Sequence, residues 1–528
     1  MNWAQEEAKK IIELYPDREE YTIASGVSPS GFIHIGNFRE IVTTYFIGEE
    51  LKKLGKKVRF ILSFDDFDRF RKVPKGIDPT FEKYIGMPYT AIPSPLGTKK
   101  TYAREMEDIF LNELAQLGIY PEVIYQTEQY TSGRYNYDIK LSLDKRKEIF
   151  DIMSKYRTQD PTEEEKNNYY PINLYCEKCK KDSTKVLRYD EQTGHLDYEC
   201  KCGNKNKINV NNSNNIKLNW KIYWPMRWKA EKVIFEPGGR DHSTENGSYT
   251  VSKDIAKEIF NYQAPYYVAY DFIGIKGAHG KMASSAGNIL TLTDLLRVYD
   301  KNIILWFYAK NKPNHQFNIA LDEDVLRYYT EFDRMVKSYY NGKLDEKNAS
   351  IIELIDVKES YTKNPNFSYI ANFLPMVSYN ESALSKLLEK ENIDCDSIYF
   401  ENRLLRAKNW LKEYGNEKMQ LLEDFNSDYY DTLNKIEKSW LNDTLEILKN
   451  EYDTTEALQA KLYSIVKKDN VDPKEIKKLQ KRYFQILYNM LLGTNNGPKM
   501  GLFLSAMDYE DISKRLQRNQ KKVRVRDK

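Results

Sequence analysis

Apolar positions in the first part of the chain switch repeatedly between two periods. "YTIASGV" (21–27) is a short apolar run bounded by polar residues, the pattern of a buried strand. Phe38, Ile41, Val42, Tyr45 and Phe46 then recur at i, i+3, i+4, i+7 and i+8, which predicts an amphipathic helix. Gly55 stands where a helix C-cap glycine belongs, and "KVRFILSF" (57–64) predicts a second buried strand. Strand, turn, helix and strand make a βαβ unit, expected to be parallel and right-handed. A second round follows, with a helix over about Tyr102 to Leu117, the strand "EVIYQT" and the helix "YDIKLSLDKRKEIFDIMSKY".

From Tyr175 to Asn212 the pattern breaks. Cys, Lys and Asn dominate, as in an inserted segment. The α/β pattern resumes at "NWKIYWPMRWKAEKVIFEPGG" and continues through the strand-like "YYVAYDFIGI". Beyond about Asp300 the chain reads as helical. "DPKEIKKLQKRYFQILYNMLLG" is fully punctuated: Asp472 caps, Pro473 takes the first position, Glu475 completes a capping box and Gly493 ends the helix. Ile476, Leu479, Tyr483, Ile486 and Met490 line one of its faces. In "RLLRAKNWLKEYG", Leu404, Ala407, Leu411 and Tyr414 form a packing stripe.

Composition narrows the class. A chain of 528 residues with 41% apolar content supports several domains with cores and excludes global disorder. A net charge of +3 is no general polyanion-binding signature, although "SKRLQRNQKKVRVRDK" at the end holds eight Lys or Arg against one Asp. That terminus reads as a solvated tail or a nucleic-acid contact. "MNWAQEEAKK" lacks the pattern of a signal peptide, and no apolar run approaches a bilayer span, so a cytoplasmic protein with no membrane partner is expected.

In such a reducing setting, clustered cysteines are metal ligands more often than disulfides. "CEKC" (Cys176, Cys179) and "CKC" (Cys200, Cys202) supply four thiolates in two close pairs, which suits tetrahedral zinc. The second pair is one residue tighter than usual, with Gly203 placed for a knuckle and His195 as an alternative ligand. Cys395 reads as a small buried apolar residue.

Two stretches carry candidate chemistry. "SPSGFIHIGN" (28–37) follows the first strand at the carboxyl edge of a parallel sheet, where ligands of open α/β sheets bind. Gly31 and Gly36 allow close approach to the backbone. A helix starting near Gly36 aims free N–H groups at the site and attracts phosphate, and His34 can donate to the same phosphates. "GAHGKMASSAGN" (277–288) combines glycines, Lys281 and adjacent hydroxyls. Its lysine charge can stabilise a phosphoryl-transfer transition state without acid–base chemistry.

Together these stretches resemble the paired His-Ile-Gly-His and Lys-Met-Ser-Lys-Ser signatures of the class I aminoacyl-tRNA synthetase family. The matching residues are His34, Ile35, Gly36 and Asn37, then Lys281, Met282, Ala283, Ser284 and Ser285. "SPSGFIHIGNFRE", "SFDDFDRFRKVP", "NWKIYWPMRW", "EPGGRDHSTENGSY", "KMASSAGN", "NKPNHQFNIALDEDVLRYYTEFDR" and "GPKMGLF" are similar to the lysyl type within that family.

The resemblance implies a Rossmann-type parallel-sheet catalytic domain in two halves, 1–174 and 213–300, interrupted by a zinc-ribbon-like insertion, 175–212. A connecting region, 301–345, and an α-helical anticodon-binding region, 346–528, would follow. It implies activation of L-lysine with ATP and Mg²⁺, then transfer to tRNA(Lys). Catalytic roles would fall to His34, Gly36, Asn37, Lys281, Ser284 and Ser285. ATP would lie on Pro29, Ser30, Gly31, His34, Gly36, Asn37, Lys281 and Met282.

Physical reading adds partial support for a cationic substrate. A lysine ammonium needs a carboxylate in a desolvated pocket, whereas a glutamate-specific site presents Arg. Glu40 lies on the helix just behind the turn, and Asp65, Asp66 and Asp68 follow the second strand at the same sheet edge. By resemblance, Glu40 and Tyr270 hold the lysine side chain, Gly26 and Ser28 line its amino-acid end, and Trp220 with His242 closes the pocket. Asp66 is a further acidic candidate. The chain departs from the signatures at Asn37, Ala283 and Ser284, and Ala286 sits where another Lys is frequent. Lys281, or another basic residue such as Lys276, must then carry more charge. A class I enzyme for glutamate and a non-catalytic tRNA-binding paralogue are the two alternatives.

Overall fold

The computed structural model describes residues 1–277, 289–377, 379–389, 392–415, 421–450, 452, 454–467, 472–497, 499–505 and 507–518. The chain divides into two compact units: Met1–Ala320 with Asn341–Val357, and Leu321–Tyr340 with Lys358–Lys528.

In the first unit, α1 (Trp3–Leu14) precedes β1 (Tyr21–Val27), α2 (Ile35–Lys53) and β2 (Val58–Phe64). β1 and β2 pair in parallel from Tyr21 opposite Val58 to Val27 opposite Phe64. β1 is buried on both faces, which explains its continuous apolar run. α2 packs closely on it because Gly48 has no side chain: a Cβ there would lie 2.8 Å from Ile23 Cδ1. Gly55 takes a left-handed φ just past the helix end, as expected. α3 (Tyr102–Leu117) then leads to β3 (Glu122–Tyr125), parallel to β2.

The expected strand "EVIYQT" stops at Tyr125, because Gln126 and Thr127 open α4 (Gln126–Thr131). Gln126 Nε2 donates to Ser63 Oγ at 2.6 Å and Thr127 N–H to Asp66 Oδ1 at 2.7 Å, and these bonds turn the chain. The long helix expected next is two, α5 (Asn136–Asp144) and α6 (Arg146–Ser154), broken at Lys145. The break lets Leu143 and Ile149 enter one core cluster. A short α7 (Glu163–Asn168) follows.

β4 (Ile172–Leu174) and β8 (Ile216–Leu218) pair antiparallel and close the neck of the insertion. Between them, β5 (Thr184–Asp190), β6 (His195–Cys200) and β7 (Lys205–Asn209) form a three-stranded antiparallel sheet.

The chain then returns to the parallel sheet. α8 (Trp220–Glu231) leads into Val233–Glu236, where Ala24 N–H donates to Phe235 O and Ile234 N–H to Thr22 O, both at 2.9 Å. β9 (Gly238–Gly239), α9 (Ser248–Glu258) and β10 (Ala269–Tyr270) complete a second half, with β9 and β10 parallel. The bridges Ile23–Phe235 and Phe235–Tyr266 are parallel too. The order is therefore β3-β2-β1, then the strand through Phe235, then the strand through Tyr266. It reverses beside β1, and that switch point is where doubly wound sheets open a ligand crevice.

"YYVAYDFIGI" is not one strand: it breaks after β10 and resumes as β11 (Ile273–Ile275), which pairs with β12 (Phe317–Ile319). The break comes at Asp271, whose N–H donates to Pro313 O at 2.9 Å and so changes partners. α10 (Leu292–Val298) and α11 (Lys301–Lys310) lie between. Among the described residues after Asp300, β12 is the only strand and helices make up the rest of the regular structure. No described helix is long and apolar enough to cross a membrane.

The second unit is helical. Its core includes an ion pair in which the buried Arg403 donates to Asp333 at 2.8 and 3.1 Å and to Tyr361 Oη at 2.9 Å. The helix Pro473–Leu492 has the expected bounds, with Gly493 left-handed at its end. Asp472 caps by accepting from Lys474 N–H at 2.8 Å, so the cap engages the second helical residue instead of forming the expected capping box. Tyr483, Ile486 and Met490 are buried while Ile476 and Leu479 are half-buried. In the helix Ile398–Tyr414 the buried stripe runs through Phe400, Arg403, Leu404, Ala407 and Trp410, leaving Leu411 half-buried and Tyr414 exposed. Cys395 is half-buried rather than buried.

Candidate active site

His34 is the N-cap of α2. Its Nδ1 accepts from Gly36 N–H at 3.1 Å, while Asn37 Oδ1 accepts from His34 N–H at 3.3 Å, a reciprocal capping box. This corrects one expectation. The first amides of α2 are not open to phosphate: Ile35 N–H donates to Leu290 O, Gly36 N–H to the His34 ring, and Asn37 N–H to His34 O. The residue pair inverts the picture. With Nδ1 accepting from the backbone, the neutral His34 ring carries its proton on Nε2, and Asn37 keeps its Nδ2 amide as a donor group.

The turn itself is braced. Pro29 and Gly31 are buried, Ser30 is exposed, and Tyr102 Oη donates to Ser30 O at 3.2 Å. Ser28 is half-buried. Lys281, Met282, Ser284 and Ser285 lie outside the described residues.

Glu40 sits one turn into α2. Its Oε1 accepts from Gly26 N–H at 2.7 Å and its Oε2 from Tyr270 Oη at 2.8 Å. Two segments far apart in sequence thus meet on one carboxylate at the switch point of the sheet. Burial pushes Glu40 up to about 8, against the lowering effect of the Gly26 amide, the Tyr270 hydroxyl and Arg227. The Tyr270 phenol is pushed far above its ordinary range by burial and by Glu40.

The three acids after β2 are otherwise engaged. Asp66 is buried and caps α4 through Thr127 N–H, with burial raising it to about 6. Asp65 accepts from Tyr223 Oη at 2.7 Å. Asp68 pairs with the buried Lys217, not with its neighbouring arginines. The case for a cationic substrate therefore rests on Glu40.

Trp220 and His242 come together as expected, with ring centroids 6.0 Å apart. Trp220, Trp224 and Trp228 recur every four residues on α8; the first two stack at 4.9 Å, the second two meet tilted at 5.0 Å, and Trp224 lies 5.6 Å from His242. This aromatic wall follows from the four-residue spacing on a helix. Arg227 and Glu236 were not anticipated. Arg227 Nη2 donates to Glu236 Oε1, and Trp228 Nε1 to Glu236 Oε2 at 2.7 Å, all in the buried interior. A lone Arg inside "WPMRW" and a Glu ending "KVIFE" were the only signals. Gly26 has a further role: a Cβ there would lie 2.9 Å from Arg227 Nη1, so its missing side chain makes room for Arg227.

In the insertion, the sulfurs of Cys176, Cys179, Cys200 and Cys202 lie within 4.8 Å of one another. The Cys176–Cys202 and Cys179–Cys200 separations are 3.8 and 3.6 Å. A tetrahedron with metal–sulfur bonds of about 2.3 Å has edges of about 3.8 Å, so the quartet suits a metal ion. His195 is not in the cluster; it lies at the far end of β6 from Cys200. The short second pair works because Gly203, with φ 85°, closes a turn by donating to Cys200 O at 2.9 Å. Burial works to raise the Cys176 thiol, but backbone N–H groups of Cys179 and Lys178 outweigh it and hold it at about 6.

A doubly wound sheet with a His-capped helix at its switch point defines the catalytic core of a class I synthetase, and the chain belongs to the class I tRNA synthetase family, which it matches over residues 1–358. The matching family is described as "tRNA synthetases class I (K)". The chain is similar to the lysine–tRNA ligase of Borreliella burgdorferi, at 34% identity over 97% of this chain and 98% of that one. It is equally similar to the lysine–tRNA ligases of Thermococcus kodakarensis, at 34% over 98% and 99%, and of Treponema pallidum, at 34% over 98% of each.

Proposed function

We propose that this chain is a lysine–tRNA ligase. The lysine carboxylate attacks the α-phosphorus of ATP, the new C–O–P bond forms, and pyrophosphate leaves as the bond to the β-phosphate breaks. Mg²⁺ is the counter-ion that the phosphates bring. The lysyl group then passes to the terminal ribose of tRNA(Lys), and AMP leaves. No covalent enzyme intermediate is required, so the residues act by positioning and charge.

The observation that carries the reading is the Glu40–Tyr270 pair. A half-buried carboxylate braced by a phenol at the switch point suits an ammonium and repels a carboxylate side chain. Gly26 and Ser28 would face the amino-acid end, Trp220 and His242 the alkyl chain. His34, Gly36 and Asn37 with Pro29, Ser30 and Gly31 would frame ATP. Lys281, Met282, Ser284 and Ser285 would close over the phosphates. The helical region 346–528 would take the anticodon, and the reaction would run in the cytoplasm.

Pyrophosphate–ATP exchange with each of the twenty amino acids, with and without tRNA, tests the reading. Lysine alone should support exchange. Glutamate-dependent exchange would favour the first alternative, and tRNA binding without any exchange the second. Lys281→Ala should lower exchange about 100-fold or more. Unchanged exchange would remove Lys281 from the chemistry.

The cysteine quartet would hold a structural zinc that braces the insertion. The purified chain should carry one zinc per molecule. Stripping it with a chelator should lower the melting temperature while lysine exchange stays within about tenfold. A metal-free preparation with unchanged melting would overturn this role.

A further inference from the structure

Arg227 is a fully buried charge next to the candidate lysine site, and the chemistry above does not use it. Its Nη2 donates to Glu236, its Nη1 lies 3.9 Å from Asp65 Oδ1, and Nη1 and Nε have no hydrogen-bond partner among the described residues. A buried ion pair is weak support for stability, since apolar residues of similar volume often serve as well. Its retention calls for another reason.

Position supplies one. Arg227 Nη1 occupies the space that a side chain on residue 26 would fill, while the N–H of that same Gly26 is bound to Glu40. Glu40 and the guanidinium are therefore separated by one residue of β1. Both oxygens of Glu236 are held, one by Arg227 and one by the Trp228 indole. We infer that the buried Arg227–Glu236 pair positions Gly26 and tunes the charge of Glu40, making it a second determinant of cationic substrate selection. This rests on the lysine reading.

The charges around Glu40 act on it with definite signs. Glu40 faces the Gly26 amide from β1, Tyr267 and Tyr270 from the outer strand, Glu236 from the strand beside β1 and Arg227 from α8, with Arg39 next to it on α2. Glu236 disfavours a charged Glu40, and Arg227 favours it. With Arg227 gone, Glu236 and Asp65 stand uncompensated behind Glu40, which then holds its proton to higher pH. With the charge of Glu236 gone, Arg227 acts alone, and Glu40 ionises at lower pH. The ammonium of lysine needs the ionised form.

The test is the pH dependence of kcat/KM for lysine in exchange, which reports groups of the free enzyme. Glu236→Gln should move the acid limb down by about one pH unit, and Arg227→Met should move it up by about as much. Arg227→Lys keeps the charge and should leave the limb in place. Norleucine, with the same length but no ammonium, should inhibit all variants with a Ki within about threefold of the parent. Purely structural damage would weaken norleucine and lysine alike. The inference is overturned if the limb stays in place in both charge-changing variants, if both move it the same way, or if norleucine loses as much as lysine. If Arg227→Met does not fold, the direction in Glu236→Gln decides alone. A parent enzyme with no lysine exchange would sink the lysine reading itself, and is distinct from a parent that works while its limb does not respond.

Discussion

Glu40→Gln should abolish useful lysine activation, lowering kcat/KM for lysine in pyrophosphate–ATP exchange roughly 200- to 5,000-fold. The amide keeps the shape of the side chain and one acceptor for Gly26 or Tyr270. What it removes is the counter-charge of a desolvated ammonium. Breaking a buried ion pair by deleting one partner costs about 3–5 kcal/mol, which is that range of rates. Norleucine inhibition should survive, because it never used the charge. Lysine exchange within tenfold of the parent would exclude Glu40 as the reader of the side chain.

The same substitution has a second, opposite consequence. Burial raises Glu40 to about 8 in the folded chain. A carboxyl raised on folding contributes most below its unfolded pKa of about 4.3, and that contribution is lost as pH climbs through the folded value. The parent therefore loses stability relative to Glu40→Gln between about pH 4 and 8. Melting curves of the ligand-free proteins should diverge across this window and run parallel above it. A constant offset at all pH values would contradict the strained carboxylate. Without ligand the site keeps Glu40 protonated up to about pH 8, and the lysine ammonium is what would favour its ionised form.

His34→Ala should lower kcat in exchange by about 10²–10³ with little change in lysine KM. The ring has two separable jobs. Nδ1 caps α2 through Gly36 N–H, and in the proposed reaction Nε2–H would serve the phosphates. Removing the cap costs about 1 kcal/mol of stability. His34→Asn separates the jobs: Asn is a good N-cap, so melting should return to the parent value, but its short amide does not reach where Nε2 stood, so kcat should not. Recovery of kcat in His34→Asn would mean that His34 acts only as a cap.

Features set by neighbours in sequence were legible. The period of Phe38 to Phe46 placed α2, the run 21–27 placed β1, and Asp472 with Gly493 bounded their helix, because each depends on local hydrogen bonds and one buried face. The cysteine quartet was legible for the same reason, since two short turns build most of it. Local signals misled where distant partners intervened. The helix expected across Lys145 breaks so that Leu143 and Ile149 share a core. The first amides of α2, free in any isolated helix, are taken by Leu290 and by His34.

The site divides along the same line. Sequence alone put Glu40 on the helix behind the glycine turn and identified the class of its motifs. Resemblance paired Tyr270 with Glu40; the tertiary structure gave the bond between them across 230 residues, and it alone used the bare Cα of Gly26 to admit Arg227 from α8. A strand of period two or a helix of period 3.6 shows which residues face inward, but not which inward-facing charges meet. That choice belongs to the sheet order, which turns back beside β1 and gathers Gly26, Glu40, Arg227, Glu236 and Tyr270 at one edge.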